Sequence, residues 1–265
     1  MATALDQLFV RLRSENRAAL IGYMPAGFPT KELCIAAIQA MVDGGVDAIE
    51  IGYPYSDPVM DGPVIQAAAE QSLSQGTSAG DVFDILEATV KMGVPAVVMT
   101  YWNPIERFGV EKFALEITKR GGSGVITPDL TIEESADWNN FTRAHDVNRI
   151  YVVAPSTGDL RLPQVTKQCS GFVYAASLMG VTGTRTSVSG NARSLVERIR
   201  TTTDLPVSVG LGVSTKEQAH EVAQYADGVI VGSAFIRQIQ EAPTSEEGIA
   251  NVRALATSLA EGVRR

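Results

Sequence analysis

A chain of 265 residues with 45% hydrophobic and 20% charged content can bury a large core and falls in the size range of α/β barrels, so residues 1–265 are expected to form one domain. The formal charge of −8 argues against a nucleic-acid or anionic-membrane partner, because the phosphate backbone is bound mainly by Lys and Arg, although a local site for one small phosphate stays open. Two cysteines, Cys34 and Cys169, lie outside any CxxC spacing and away from a candidate His; neither a disulfide framework nor a zinc site is indicated, and a reducing cytoplasm fits.

Met1 to Ser14 predicts an amphipathic helix with Leu5, Leu8, Phe9 and Leu12 on one face, lacking the continuous apolar stretch of a signal peptide. No later run is long enough to cross a bilayer. Short β-branched runs then alternate with stretches of helical period. Strands are predicted at Ala19 to Tyr23, Ala48 to Ile51, Ala96 to Tyr101, Gly124 to Thr127, Ile150 to Val153, Gly171 to Ala175, Pro206 to Val209 and Gly228 to Val231. Helices are predicted at Leu33 to Val42, Val82 to Val90, Val110 to Thr118, Ile132 to Thr142, Leu195 to Arg200 and Lys216 to Ala223. Eight βα units close a (β/α)8 TIM barrel, here with an extra N-terminal helix and a short helix opening at Gly232-Ser233 after strand eight. An open doubly wound sheet also satisfies the alternation, but its GxGxxG fingerprint after strand one is missing.

In such a barrel the active site lies at the C-terminal ends of the strands, which directs attention to the polar residues that follow each apolar run. Strand two ends with Glu50 and enters a loop holding Asp57 and Asp61; strand three ends with Tyr101 and Asn103, strand four with Thr127 and Asp129, and strand six carries Tyr174. Glu50 sits between Ile49 and Ile51, pointing to the opposite face, where apolar surroundings raise a carboxyl pKa toward neutrality and suit it to donate and accept a proton. A structural carboxylate bonded to a neighbouring strand is the alternative. Asp61 follows eleven residues on, in a stretch broken by Pro54, Pro58, Gly62 and Pro63; it is either a second acid/base carboxylate in a polar loop or an Asp-Gly turn residue. Asp57, before Pro58, reads as a turn or lid residue.

The last third of the chain is rich in glycine at strand ends: Gly180-Val181-Thr182-Gly183, Gly210-Leu211-Gly212 and Gly232-Ser233. Glycine lets the backbone approach an anion, and a helix starting at Gly232-Ser233 aims free N–H groups at a phosphate. Schiff-base chemistry needs a Lys at a strand end, yet Lys31, Lys91, Lys112, Lys119, Lys167 and Lys216 all fall in predicted helices or outer turns. His145 and His220 lie at or within outer helices, which disfavours a His-ligated metal or a His base; a carboxylate-only Mg2+ site from Glu50, Asp57 and Asp61 stays open.

The segment Ile49-Glu50-Ile51-Gly52 through Ser56-Asp57-Pro58-Val59-Met60-Asp61-Gly62-Pro63-Val64-Ile65-Gln66 closely resembles the signature of the tryptophan synthase alpha subunit family. The likeness extends over the chain, through Pro25-Ala26-Gly27-Phe28-Pro29, Met99-Thr100-Tyr101-Trp102-Asn103-Pro104, Pro128-Asp129-Leu130 and the glycine motifs. It implies a carbon–carbon lyase of tryptophan biosynthesis that cleaves indole-3-glycerol phosphate to indole and glyceraldehyde 3-phosphate without imine or metal. By that resemblance Glu50 protonates the indole at C3 and helps remove the side-chain hydroxyl proton, while Asp61 holds the indole N–H. Tyr174, Tyr23, Met99, Ile126 and Val152 match apolar pocket positions, and backbone N–H groups around Gly183, Leu211, Gly212, Gly232 and Ser233 match phosphate ligands. Thr182 matches a lid residue that meets the Asp61 position on closure. Two departures stand out: Ser177-Leu178-Met179 where some members carry a lid Arg, and Leu211 where many have Phe. The family also implies a beta-subunit partner carrying pyridoxal phosphate, with no cofactor on this chain, in an alpha2beta2 tetramer. Its contact surface here would be the Pro54 to Asp61 loop and the Asn103 to Phe108 segment. The rival readings are a stand-alone indole-glycerol phosphate lyase and a non-catalytic phosphate-binding barrel; Glu50, Asp61 and Tyr174 speak against the second.

Overall fold

The computed structural model describes residues 2–176, 186–210 and 212–264. Their elements, in order, are α1 (Ala4–Ser14), β1 (Ala19–Pro25), α2 (Lys31–Asp43), β2 (Ala48–Gly52), α3 (Pro63–Ser74), α4 (Ala79–Lys91), β3 (Ala96–Met99), α5 (Trp102–Phe108), α6 (Val110–Lys119), β4 (Gly124–Thr127), α7 (Ala136–Ala144), β5 (Asn148–Val153), α8 (Leu162–Thr166), β6 (Val173–Ala176), α9 (Thr186–Arg200), β7 (Val207–Gly210), α10 (Lys216–Ala223), β8 (Gly228–Val231), α11 (Ser233–Gln240) and α12 (Ser245–Gly262). The eight strands pair in parallel and in sequence order, and β8 returns to β1, closing a (β/α)8 TIM barrel. No helix among the described residues is long and apolar enough to cross a membrane.

Strand alternation sorts the side chains. On β2, Ile49 and Ile51 face the helices in the outer core, and Ala48 faces the axis in a separate inner cluster with Ile21, Val97, Ile126, Ile150, Phe172 and Ile230. The same alternation puts Glu50 on the axial side, level with Tyr23 of β1 and Val97 of β3. The expected N-terminal helix closes the far end of the barrel: Leu5, Leu8, Phe9 and Leu12 of α1 join the inner cluster, with the Phe9 ring 5.8 Å from Phe172. Thr3 and Asp6 form a capping box at its start. The Asn148 amide donates to both, at 2.8 Å to Thr3 Oγ1 and 3.1 Å to Asp6 Oδ1, fastening α1 to the base of β5.

Several boundaries differ from the sequence reading. Strand three stops at Met99 because the chain then turns into α5, for which Tyr101 is the N-terminal cap residue. Helix α7 begins at Ala136 rather than Ile132, since Ser135 turns its hydroxyl back to the Ile132 carbonyl. The helix expected from Leu195 already begins at Thr186, and the helices Pro63–Ser74, Trp102–Phe108, Leu162–Thr166 and Ser245–Gly262 were not anticipated. The first of these starts with Pro63 just inside its N-terminus, where a missing N–H costs nothing.

Candidate active site

A cavity of about 330 Å3 opens at the C-terminal end of the barrel. Tyr23, Glu50, Met99 and Tyr174 line it from the strands, Asp61 from the β2–α3 loop, and Gly212, Gly232 and Ser233 from the last two βα turns. These eight residues, six singled out along the chain and Tyr23 and Met99 through the family resemblance, are thus brought together. Ile126 is not at this wall, being wholly buried in the inner cluster. Val152 packs against the same cluster and lines a separate hollow of about 150 Å3 with Thr127, Tyr151 and Arg161. Thr182, Gly183 and Leu211 lie outside the described residues.

Glu50 is 1% exposed, and its Oε2 has no hydrogen-bond partner among the described residues. Burial pushes its carboxyl up from an ordinary 4.5 to about 8, and the neighbouring charge of Asp61 adds to the rise. An unpartnered buried carboxyl carries a desolvation cost that a purely structural group would relieve by bonding. Asp61 is half-buried, which raises its pKa too, but the Tyr101 hydroxyl beside it opposes the rise. The two carboxyls therefore share one cavity in unlike environments. Burial and the charges of Glu50 and Asp61 hold the phenols of Tyr23 and Tyr174 well above their ordinary pKa, so both present neutral aromatic walls.

Tyr101 is the functional residue whose part sequence reasoning missed. The sequence alone marks it only as a polar residue after strand three. Its hydroxyl accepts from the Met60 N–H at 3.0 Å and holds down the Asp61 pKa, and its ring packs on Tyr55 with centroids 5.2 Å apart. One side chain thus holds the β2–α3 loop at both Tyr55 and Met60. Beside it, the Asp129 carboxylate accepts the Trp102 N–H at 2.9 Å and holds the start of α5. Asp57 faces outward, with Ser56 donating to it, and no three acidic, His or Cys side chains converge to hold a metal ion among the described residues.

The glycines have a second use that the phosphate reading did not contain. A Cβ on Gly52 would collide with the Tyr23 phenol, one on Gly210 with the Tyr174 hydroxyl, and one on Gly232 would lie 3.1 Å from the Tyr23 ring. Gly52, Gly210 and Gly232 therefore give the two aromatic walls their room. Gly212 has φ of 80°, a left-handed conformation that a side chain would strain.

The sequence model of the family described as "Tryptophan synthase alpha chain" matches residues 9–264. The chain belongs to this family. The tryptophan synthase alpha chain of Streptomyces coelicolor is 54% identical over 261 residues, covering 98% of this chain and 96% of the relative. That of Acidothermus cellulolyticus is 53% identical over 263 residues, covering 99% and 98%. Among solved structures, tryptophan synthase from M. tuberculosis in an open form with BRD0059 bound superposes with a TM-score of 0.92 at 45% identity, covering all of both chains. Tryptophan synthase subunit alpha from Legionella pneumophila gives 0.90 at 30% identity, covering 99% of each. As a tryptophan synthase alpha family member the chain is a lyase, and the cavity at the barrel mouth is where its chemistry has to be sought.

Proposed function

We propose that this lyase cleaves indole-3-glycerol phosphate within the cavity by a retro-aldol step run by two carboxyls, in a single catalytic domain with no cofactor of its own. The observation that carries the reading is the buried Glu50 carboxyl, whose Oε2 has no hydrogen-bond partner among the described residues and which is held protonated near neutral pH in the same cavity as Asp61. Glu50 gives its proton to C3 of the indole ring, which places positive charge on the ring nitrogen. Asp61 accepts a hydrogen bond from the indole N–H and stabilises that charge. The Glu50 carboxylate then takes the proton of the side-chain hydroxyl as the carbon–carbon bond breaks. Its electron pair returns to the ring, leaving indole and the aldehyde of glyceraldehyde 3-phosphate, and Glu50 ends protonated as it began. Tyr23, Met99 and Tyr174 flank the ring, while the N–H groups at Gly212, Gly232 and Ser233 receive the phosphate at the start of α11. Leu211, Gly183 and the lid residue Thr182 would complete the phosphate cradle and its cover; Ile126 and Val152 would support the pocket from below.

The partner is a beta subunit with pyridoxal phosphate, in an alpha2beta2 tetramer in the cytoplasm, that takes up the indole. Val59 and Met60 leave large apolar surfaces exposed on the loop next to Asp61, at 75% and 41%. Tyr101 ties that loop to α5, so a partner resting on both would order Asp61 through one side chain. The test is indole release by the wild type, Glu50→Gln and Asp61→Asn, each with and without a beta subunit. Loss of an acid/base group should cost about 10²- to 10⁴-fold. Near-full activity of Glu50→Gln would sink the mechanism, and equal wild-type turnover with and without the partner would remove the coupling. A stand-alone lyase would show the same variant losses and no partner dependence.

A further inference from the structure

The active-site cavity contains the side chains of two acids and, among the described residues, one cation, Arg237. Arg237 lies four residues after Ser233 on α11, one turn along and nearly on the same face. Helical side chains lean toward the N-terminus of their helix, which carries a guanidinium on this face back toward the Gly232-Ser233 turn. Its place in the last turn of α11 would let it serve that helix's terminal carbonyls, yet its side chain makes no hydrogen bond or ion pair among the described residues. Six other arginines, Arg17, Arg120, Arg161, Arg198, Arg200 and Arg253, are each held by a carboxylate. In the larger hollow at the opposite end of the barrel, of about 1250 Å3, Arg17 and Asp47 are joined by two hydrogen bonds of 2.8 Å.

A phosphate dianion entering a chain of net charge −8, beside Asp61, meets repulsion that backbone N–H groups offset only in part. We propose that Arg237 is a phosphate-binding residue of this cavity, supplying the full positive charge that captures and orients the phosphorylated end of the substrate. The inference rests on the placement of the phosphate at the Gly212, Gly232 and Ser233 turns. An exposed guanidinium acts here mainly on binding, so its signature is in KM rather than kcat.

The experiment measures steady-state cleavage by the wild type, Arg237→Gln and Arg237→Lys in the presence of beta subunit, on indole-3-glycerol phosphate and on its dephosphorylated form, indole-3-glycerol. Arg237→Gln should raise KM for the phosphorylated substrate about tenfold with kcat within about twofold, and Arg237→Lys should recover most of the loss. Added salt should raise the wild-type KM more steeply than that of Arg237→Gln, and kcat/KM for indole-3-glycerol should be the same in all three proteins. An unchanged KM in Arg237→Gln, with the wild type still strongly preferring the phosphorylated substrate, overturns the role of Arg237 alone. Equal losses on both substrates overturn it as well, since they mark a structural effect. A wild type indifferent to the phosphate overturns the glycine-turn site together with the arginine.

Discussion

Replacing Glu50 with Gln should strengthen the fold while disabling the enzyme, and the size of the gain should depend on pH. In the unfolded chain the carboxyl titrates at its ordinary 4.5, and in the barrel at about 8. Between those values the unfolded chain gives up the proton and the folded chain keeps it, so stability falls as pH rises, by about 1.4 kcal/mol per pH unit. The contribution of Glu50 is intact below 4.5 and is lost progressively until pH passes about 8. Gln keeps the shape and stays neutral throughout. Relative to wild type, Glu50→Gln should therefore gain roughly 1 kcal/mol at pH 5 and about 3 kcal/mol at pH 7, levelling off near 5 kcal/mol above pH 8. Urea unfolding of both proteins at pH 5, 6, 7 and 8 reads the difference directly, and indole release on the same preparations should be down by about 10²- to 10⁴-fold. A stability difference that is flat from pH 5 to pH 7 would refute the reasoning, because it would mean that Glu50 ionises in the folded protein as it does in water.

Three other substitutions separate the parts of the site. Tyr101→Phe removes the donor that restrains the Asp61 pKa. Asp61 should then titrate higher, so the acid limb of the kcat/KM profile moves to higher pH with little change in the basic limb; an unmoved acid limb would contradict the assignment. Gly210→Ala drives a methyl group into the Tyr174 hydroxyl and should cost about 1–3 kcal/mol in urea unfolding and about tenfold in kcat/KM. Unaltered kinetics would show that the Tyr174 ring does not shape the substrate slot. Asn148→Ala cuts both bonds to the N-terminal helix, and a lowered urea midpoint worth about 1–2 kcal/mol with an unchanged KM is expected; a change in KM would mean that the two ends of the barrel are coupled.

The barrel was legible because its signal is local. Strand β2 shows its two faces in five residues, and Glu50 stands out there as the polar residue in an apolar run. Asp61 was less legible: its loop is obvious from the prolines, but its direction depends on Tyr101, forty residues later, and on which way a hydroxyl points. The glycine turns were read as phosphate ligands, yet the need for Gly52, Gly210 and Gly232 comes from rings carried on other strands, which spacing along the chain does not reveal. Hydrophobic pattern also overran the strand at β3, where residues that favour strands continue through Tyr101 although β3 ends at Met99. Helix α12 escaped because it packs largely through small residues, with Gly44 of the turn after α2 in close contact with Ala256 and the Arg253 carbonyl.

The helix that closes the base of the barrel has a bearing on the order of assembly. Its capping residues bond to an asparagine 145 positions later, and its Phe9 rests on Phe172. A ribosome therefore releases α1 long before the seat it fills has been made, and its four apolar side chains must wait, exposed or held by temporary contacts, while five further strands emerge. Contacts of such long range are costly to close and slow to form. A nascent chain arrested before strand five would carry this helix undocked, whereas one extended past strand six could seat it. Protease protection of α1 should therefore appear abruptly with chain length, marking the moment when the barrel acquires a floor.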